Sequence, residues 1–317
     1  MRSGRPRRPE AGESVSTRRA GAHLRTPALF LTPAFVVIAL FFVLPAVVTV
    51  FLSLTDLSAR TMTNPTFVGL ANYEYILSSR WTPIVVRNTV LYVTLTLAFN
   101  VVMGLALAVS TSLLPDRIGN GLRLLWLLPR ITSPVIYVLI WQALLAPAPF
   151  GLVGNLMGIS RNVVNAHPWP TVILANGLIG ASLGMLIFTA AIRSIPRDLF
   201  HASAVDGATT WQTVRRVVLP LMRWPIMFVT AYQTLSLLAS FEYILLLTNG
   251  GPGFYTTEVW SLWAYKEAFQ SYVGNVEFGL GAAMAAVLVV VGIVASLVYL
   301  RVFRFDELLS RPKVEVN

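Results

Sequence analysis

The chain has 317 residues, of which 56% are apolar and only 12% charged, and its mean hydropathy is +0.69. That balance lies far from the quarter-charged composition of a soluble domain and places most of the chain in lipid. The net charge of +10 does not point to nucleic acid, because the basic residues flank the apolar blocks, and the absence of cysteine excludes disulfides, thiolate chemistry and cysteine zinc sites.

Residues 1–27, rich in Arg, Pro, Ser and Gly, read as a disordered basic tail that anchors topology. Arg18-Arg19 resembles part of a twin-arginine leader, but the apolar run after it is too long and lacks a small-residue cleavage site, so a retained first span is expected. About 20 mainly apolar residues are needed to cross a bilayer. Six stretches meet this, at about 28–54, 89–114, 124–145, 171–192, 224–247 and 278–300. They predict an all-α membrane domain over residues 28–303, followed by a cytoplasmic tail, 304–317. Four of the stretches carry no charge, the third holds Arg130 and the fifth holds Glu242. Pro45 and Pro134 are tolerable inside spans, where neighbouring helices satisfy the freed carbonyls.

Orientation follows from the basic residues of alternate loops. The amino-terminal tail, the segment around Arg117 and Arg123, the loop 193–223 and the carboxyl tail hold 18 Lys and Arg, against five in the remaining loops. Both termini and the loop 193–223 are therefore expected in the cytoplasm.

That loop contains a compact polar hairpin, HASAVDGATTWQTVRRVVLP, over residues 201–220. Pro196 opens a helical register in which Leu199, Ala202 and Val205 share a face. Asp206-Gly207 ends it, since glycine accepts the left-handed backbone at which a helix turns. Thr209 or Thr210 then caps a second helix, with Trp211, Val214, Val217 and Val218 on one stripe and Leu219-Pro220 as its stop. Physics alone leaves two readings open: an amphipathic pair lying on the headgroups, or a docking element.

The two intramembrane charges must face protein or water. Arg130 and Glu242 either pair with one another, or, with Tyr137, Trp141, Gln233 and Tyr243, offer hydrogen bonds and an aromatic face to a solute. Gly180 and Gly184 are spaced for close helix packing, and Gly279 and Gly281 lack the strand and third glycine of a dinucleotide loop, so both pairs are expected to pack helices. His23, His167 and His201 are too scattered for a metal site, no catalytic constellation stands out, and no phosphate-binding Gly-Lys-Ser/Thr loop is present.

The hairpin resembles the Glu-Ala-Ala loop of the inner-membrane permeases of ATP-binding-cassette importers. Asp206, Gly207, Ala208, Leu219 and Pro220 match that pattern in type and spacing and Ala202 keeps the small residue, whereas His201 and Ser203 stand where Glu and the second Ala usually are. FVGLANY at 67–73, LLPRITSPVIYVLIWQALL at 127–145, FGLVGN at 150–155 and FEYILLLTNGGPG at 241–253 are similar to the carbohydrate-uptake branch, the maltose and glycerol-3-phosphate type, and the last stretch to the relatives of the larger maltose permease subunit. The resemblance implies a compact six-span permease of a bacterial inner membrane, paired with a second, different permease and supplied with sugar by an external solute-binding protein. It implies that a cytoplasmic ATPase dimer, which binds ATP and Mg, grips the hairpin through His201, Ala202, Ser203, Asp206, Gly207, Ala208, Leu219 and Pro220; this chain itself needs no cofactor and is not an enzyme. A secondary transporter driven by an ion gradient, using Arg130 and Glu242 as coupling groups, is the competing reading.

Overall fold

A computed structural model describes residues 30–270 and 276–303. The two expected tails, 1–27 and 304–317, lie outside the described residues. Residues up to Thr49 form one unit and those from Val50 onward a second. Among the described residues there is no β-sheet, only an isolated bridge between Thr55 and Phe67.

The first helix, α1 (Phe30–Leu52), is apolar all round and long enough to cross a membrane. It widens into a π segment at Ala39–Val43, just ahead of Pro45. A proline lacks the N–H that the carbonyl one turn back needs and its ring crowds that carbonyl; a wider turn relieves both. The same arrangement recurs at Val214–Val218, just ahead of Pro220.

From Val50 onward the helices are α2 (Ala71–Ser78), α3 (Thr82–Ser112), α4 (Asp116–Ile131), α5 (Pro134–Leu145), α6 (Leu152–Met157), α7 (Val163–Ala166) and α8 (Pro168–Ser194). The hairpin helices α9 (Arg197–Val205), α10 (Thr210–Thr213) and α11 (Leu219–Leu221) follow. The described residues close with α12 (Arg223–Ala239), α13 (Glu242–Leu247), α14 (Trp260–Phe269) and α15 (Phe278–Val302). Among the described residues four helices, α1, α3, α8 and α15, are long and apolar enough to cross a membrane unaided.

The third and fifth expected spans are not straight helices. α4 and α5 meet at 101°, because Thr132 and Ser133 are extended ahead of Pro134, and a residue before proline is pushed out of the α region. Counted as one crossing, this bent pair makes five. α12 has 17 residues and stops at Ser240, which is extended (φ −76°, ψ 123°), before the short α13. No proline or glycine marks that break. Ser240 instead finds partners outside the helix: its carbonyl accepts from Ser261 Oγ at 3.1 Å, and its hydroxyl lies 3.2 Å from the Tyr92 hydroxyl.

The bundle centres on the α3–α8 seam. A Cβ on Gly104 would lie 3.0 Å from the Ala181 carbonyl oxygen and 3.1 Å from Gly184 Cα, and one on Gly180 would strike the Asn100 side chain at 2.1 Å. The expected packing role of Gly180 and Gly184 is met, since small residues let two backbones approach. Gly279 and Gly281 do the same for α15: a Cβ there would meet the Thr55 carbonyl oxygen at 2.2 Å and Ala268 Cβ at 2.6 Å.

Three apolar clusters distribute this core. One joins α3, α5, α8, α12 and α13 through Tyr92, Tyr137, Val172, Leu237 and Ile244. A second, around Ile76, Val85, Trp260 and Met284, packs α2, α3, α14 and α15. The third, Ala108, Phe188, Ile192, Val218, Met222 and Val229, binds the root of the hairpin to α3, α8 and α12.

Candidate substrate path and hairpin

Inside the bundle, α4, α8, α12 and α13 enclose a cleft of about 290 Å³ with α3. Arg130, Gln233 and Tyr243 line it, together with Asn100, Asn176, Tyr232, Ser236 and Ser240. Three of the six expected path residues are thus brought together. Gln233, buried on α12, meets the Asn100 carboxamide and donates from Nε2 to the Gly180 carbonyl at 3.2 Å. Asn176 donates to the Tyr92 hydroxyl and, at 3.3 Å, to Ser240 Oγ. Buried amides and hydroxyls of this kind must be partnered, and here they partner one another while presenting polar edges to the cleft. Asn100, Asn176, Tyr92 and Ser240 escape a reading based on charge; the usable signal is an uncharged amide inside an otherwise apolar window.

The other three expected path residues lie elsewhere. Tyr137 is buried, donates to the Ala175 carbonyl at 2.8 Å and sits edge-on to Trp141 and Tyr243 at 6.3 and 6.1 Å. It is a core residue that backs Tyr243, and Trp141 packs against the same cluster. Glu242 opens the first turn of α13 and does not line the cleft.

Of the two readings left open for Arg130 and Glu242, the mutual pair does not form; the described ion pairs are Arg193–Asp116 and Glu258–Lys266. Arg130 stands exposed in the last turn of α4, with no hydrogen bond or ion pair among the described residues. A cation at a helix C-terminus gains about 0.3–1 kcal/mol from the helix dipole.

The hairpin forms as two short helices. Asp206 caps α9, Gly207 follows at φ +69°, and its N–H reaches the Ala204 carbonyl at 3.1 Å. A Cβ on Gly207 would meet nothing within 4 Å, so the demand for glycine is conformational rather than spatial. Thr209 is the N-cap, completed by Gln212 into a capping box. Ser203 makes its departure from the resembling pattern useful: its Oγ accepts from Thr213 Oγ1 at 3.2 Å, tying the second helix to the first.

Two details of the hairpin differ from expectation. Pro220 does not stop the helix; the π segment absorbs it, and the chain stays near-helical through Met222 into α12. Trp211 does not share the buried stripe of Val214 and Val218 but is 68% exposed, as are Leu199 at 41% and Val205 at 88%. The hairpin therefore carries an inward apolar root and an outward apolar surface. His201, Ser203 and Ala208 line a cavity of about 970 Å³ under it, alongside Arg123, Arg193 and Arg197. Ala202, Asp206 and Pro220 are exposed outside that cavity, and Leu219 is half-buried. Arg123 bridges Thr111 Oγ1 and Asn120 Oδ1 at 2.9 and 2.8 Å, and Arg193 donates to the same Asn120 oxygen at 3.0 Å, which joins the hairpin-side ends of α3, α4 and α8.

At the opposite end of α3, the TNGGPG stretch wraps a buried ion pair, Glu258–Lys266 at 2.7 Å, with Lys266 also donating to the Asn249 carbonyl at 2.9 Å. Gly250, at φ +77°, is obligatory there, because a Cβ would lie 1.9 Å from Glu258 Oε2. Burial pushes the Glu258 carboxyl up, and Lys266 pulls it back toward ionisation.

Relatives match this chain over most of its length. A probable ABC transporter permease of Pyrococcus horikoshii is 30% identical, covering 86% of this chain and 93% of its own. The trehalose/maltose transport system permease protein MalF of Thermococcus litoralis is 28% identical over 87% and 93%. The trehalose transport system permease protein SugA of Mycobacterium tuberculosis is 28% identical over 92% and 91%. Among solved structures, a chain of a bacterial ABC transporter that imports alginate superposes with a TM-score of 0.74 at 22% identity, covering 93% of this chain and all of that one. The family profile described as the binding-protein-dependent transport system inner membrane component matches residues 21–305, and the chain belongs to that family.

Proposed function

We propose that this chain is one of two different permeases that together form the path by which a sugar, delivered by an external solute-binding protein, enters a bacterium at the expense of ATP. The chain crosses the inner membrane six times, the bent α4–α5 pair and the broken α12–α13 pair each counting as one crossing, with both termini and the loop 193–223 in the cytoplasm. ATP and Mg belong to a partner ATPase dimer, which grips the hairpin through the residues around Asp206–Ala208 and through its exposed Leu199, Val205 and Trp211.

One observation carries the reading: the hairpin shares a packed root, Val218, Met222 and Val229, with the helix that supplies Gln233 to the cleft. A displacement of the hairpin is passed to α12 through packed side chains instead of being absorbed by a loop. The cleft, lined by amides, hydroxyls and Tyr243, suits the hydroxyls of a saccharide. Relatives named for trehalose, maltose and alpha-glucoside transport support the substrate class.

The test is uptake by proteoliposomes containing this chain and its partners. Transport that needs ATP on the hairpin side and a loaded binding protein on the other is the expected result. Uptake by the purified chain alone under an imposed ion gradient, indifferent to ATP, would sink the proposal in favour of a secondary transporter.

A further inference from the structure

We propose that the sugar is acidic: that the cleft accepts a saccharide bearing a carboxylate, sulfonate or phosphate, and that Arg130 holds that group. This rests on the cleft being the sugar path, and adds the charge of the substrate to it.

The lining of the cleft has one full charge, Arg130, and no carboxylate. Glu242, the one acid within the expected spans, forms no ion pair with it. Arg130 has no hydrogen-bond or ion-pair partner among the described residues, although guanidinium has five donors to satisfy. The neighbouring groups already bond one another: Gln233 with Asn100 and Gly180, Asn176 with Tyr92 and Ser240. A neutral saccharide needs only such amides and hydroxyls and would leave the cation without a counter-charge. A planar oxyanion fits the guanidinium fork with two parallel hydrogen bonds, a geometry lysine does not reproduce. The elbow between α4 and α5 presents this fork at the cleft, because α4 ends one residue later, at Ile131.

The experiment measures equilibrium binding to the complete transporter in nanodiscs, without the binding protein, using a panel of neutral mono- and disaccharides and the matching uronates. Wild type is expected to bind at least one uronate about tenfold or more tightly than its neutral counterpart, a difference of about 1.4 kcal/mol. Arg130→Gln is expected to remove that preference by weakening the uronate far more than the neutral sugar, and Arg130→Lys to keep part of it. Equal binding of both classes by wild type, or a preference that survives Arg130→Gln, overturns the charge assignment and leaves the sugar path standing. Binding of no member of either panel overturns both. Failure of both variants to assemble, with no uronate preference in wild type, identifies Arg130 as the partner of a carboxylate on the second permease and also overturns the proposal.

Discussion

At the Ser112 end of α3 the hairpin root is held by apolar side chains, whereas at the Thr82 end the neighbouring segment adds directional polar bonds to its apolar packing. The hairpin root is Val218 and Met222 against Ala108, Phe188 and Ile192, with Arg215 and Arg216 exposed; the buried Arg123 at that end ties α3 to α4, not to the hairpin. At the other end, some 46 Å away along a 31-residue helix, Asn88 donates to the carbonyls of Tyr255 and Glu258 at 2.8 and 3.1 Å, and Thr89 Oγ1 accepts from Trp260 N–H at 2.9 Å. The Glu258–Lys266 pair completes that clamp. Apolar packing is non-directional and admits repacking along a face, while buried polar networks fix one geometry. On the proposed mechanism, this difference would put the moving joint at the hairpin end and the fixed one at the TNGGPG end.

The largest effect expected from this contrast is at the clamp. Lys266→Met strands a carboxylate in a site where the Glu258 side chain is 4% exposed, a loss of roughly 3–5 kcal/mol for breaking a buried pair. It is checked by thermal unfolding of the nanodisc-embedded transporter. Burial already raises the Glu258 carboxyl and only Lys266 opposes it. Without the lysine, the folded state prefers the protonated acid more strongly. Stability is then fullest below the ordinary carboxylate range and is lost as pH rises through the folded value, so the variant should be more impaired at pH 8 than at pH 5. Adding Glu258→Gln should recover part of the loss and flatten that slope. Transport per ATP in the surviving protein should not change.

Met222→Ala, next in size, should cost about 2–4 kcal/mol as a cavity in the root, and here the ratio is the telling readout. If the root transmits motion, ATP hydrolysed per sugar imported should rise severalfold. An unchanged ratio would erase the distinction between the two ends of α3.

How far the sequence foretells these joints differs along the chain. Hydropathy alone locates α1, α3, α8 and α15, because each is an unbroken apolar run longer than a bilayer is thick. The α4–α5 elbow was present in the letters ITSPV, since Pro134 at the start of a helix requires an extended residue before it; treated as an internal proline of one span, it loses its meaning. The Ser240 break was not legible, because it depends on Ser261 and Tyr92, which are distant in sequence. The hairpin turn was legible down to Gly207, and its cap to Thr209 or Thr210, of which the fold uses Thr209; both are local devices. The cleft was half-legible: Gln233 and Tyr243 were identifiable as polar residues in a span, but whether Tyr137 faced the cleft or the core depended on the fold.

Smaller in energy is Gly207→Val. Forcing a β-branched residue to φ +69° costs about 1–3 kcal/mol, and open space around the position lets the turn relax instead. Thermal stability should therefore change little while coupling falls, because a relaxed turn no longer presents α9 and α10 at a fixed angle. ATPase activity that continues while uptake is lost is the expected result. Uptake at the wild-type rate would show that the turn's geometry is not what the ATPase grips.

The smallest effect is expected in a polar turn that belongs to neither joint. Asp56 Oδ1 accepts from the Thr66 N–H and Oδ2 from the Thr66 hydroxyl at 2.8 Å, which closes the loop from Asp56 to Thr66. These bonds, the Thr66 N–H first, hold the carboxyl below its ordinary range. The folded value being depressed, the contribution is present above the ordinary carboxylate range and is lost as pH falls through the folded value. Partial solvent exposure keeps it slight. Hydrogen exchange of Thr66 should be slow at neutral pH and, corrected for intrinsic rate, faster near pH 3, and Asp56→Ala should make it fast at both. Transport should be unaffected throughout, since the turn touches neither the root around Met222 nor the Glu258 clamp; a transport defect in Asp56→Ala would extend the fixed end of the molecule to include this loop.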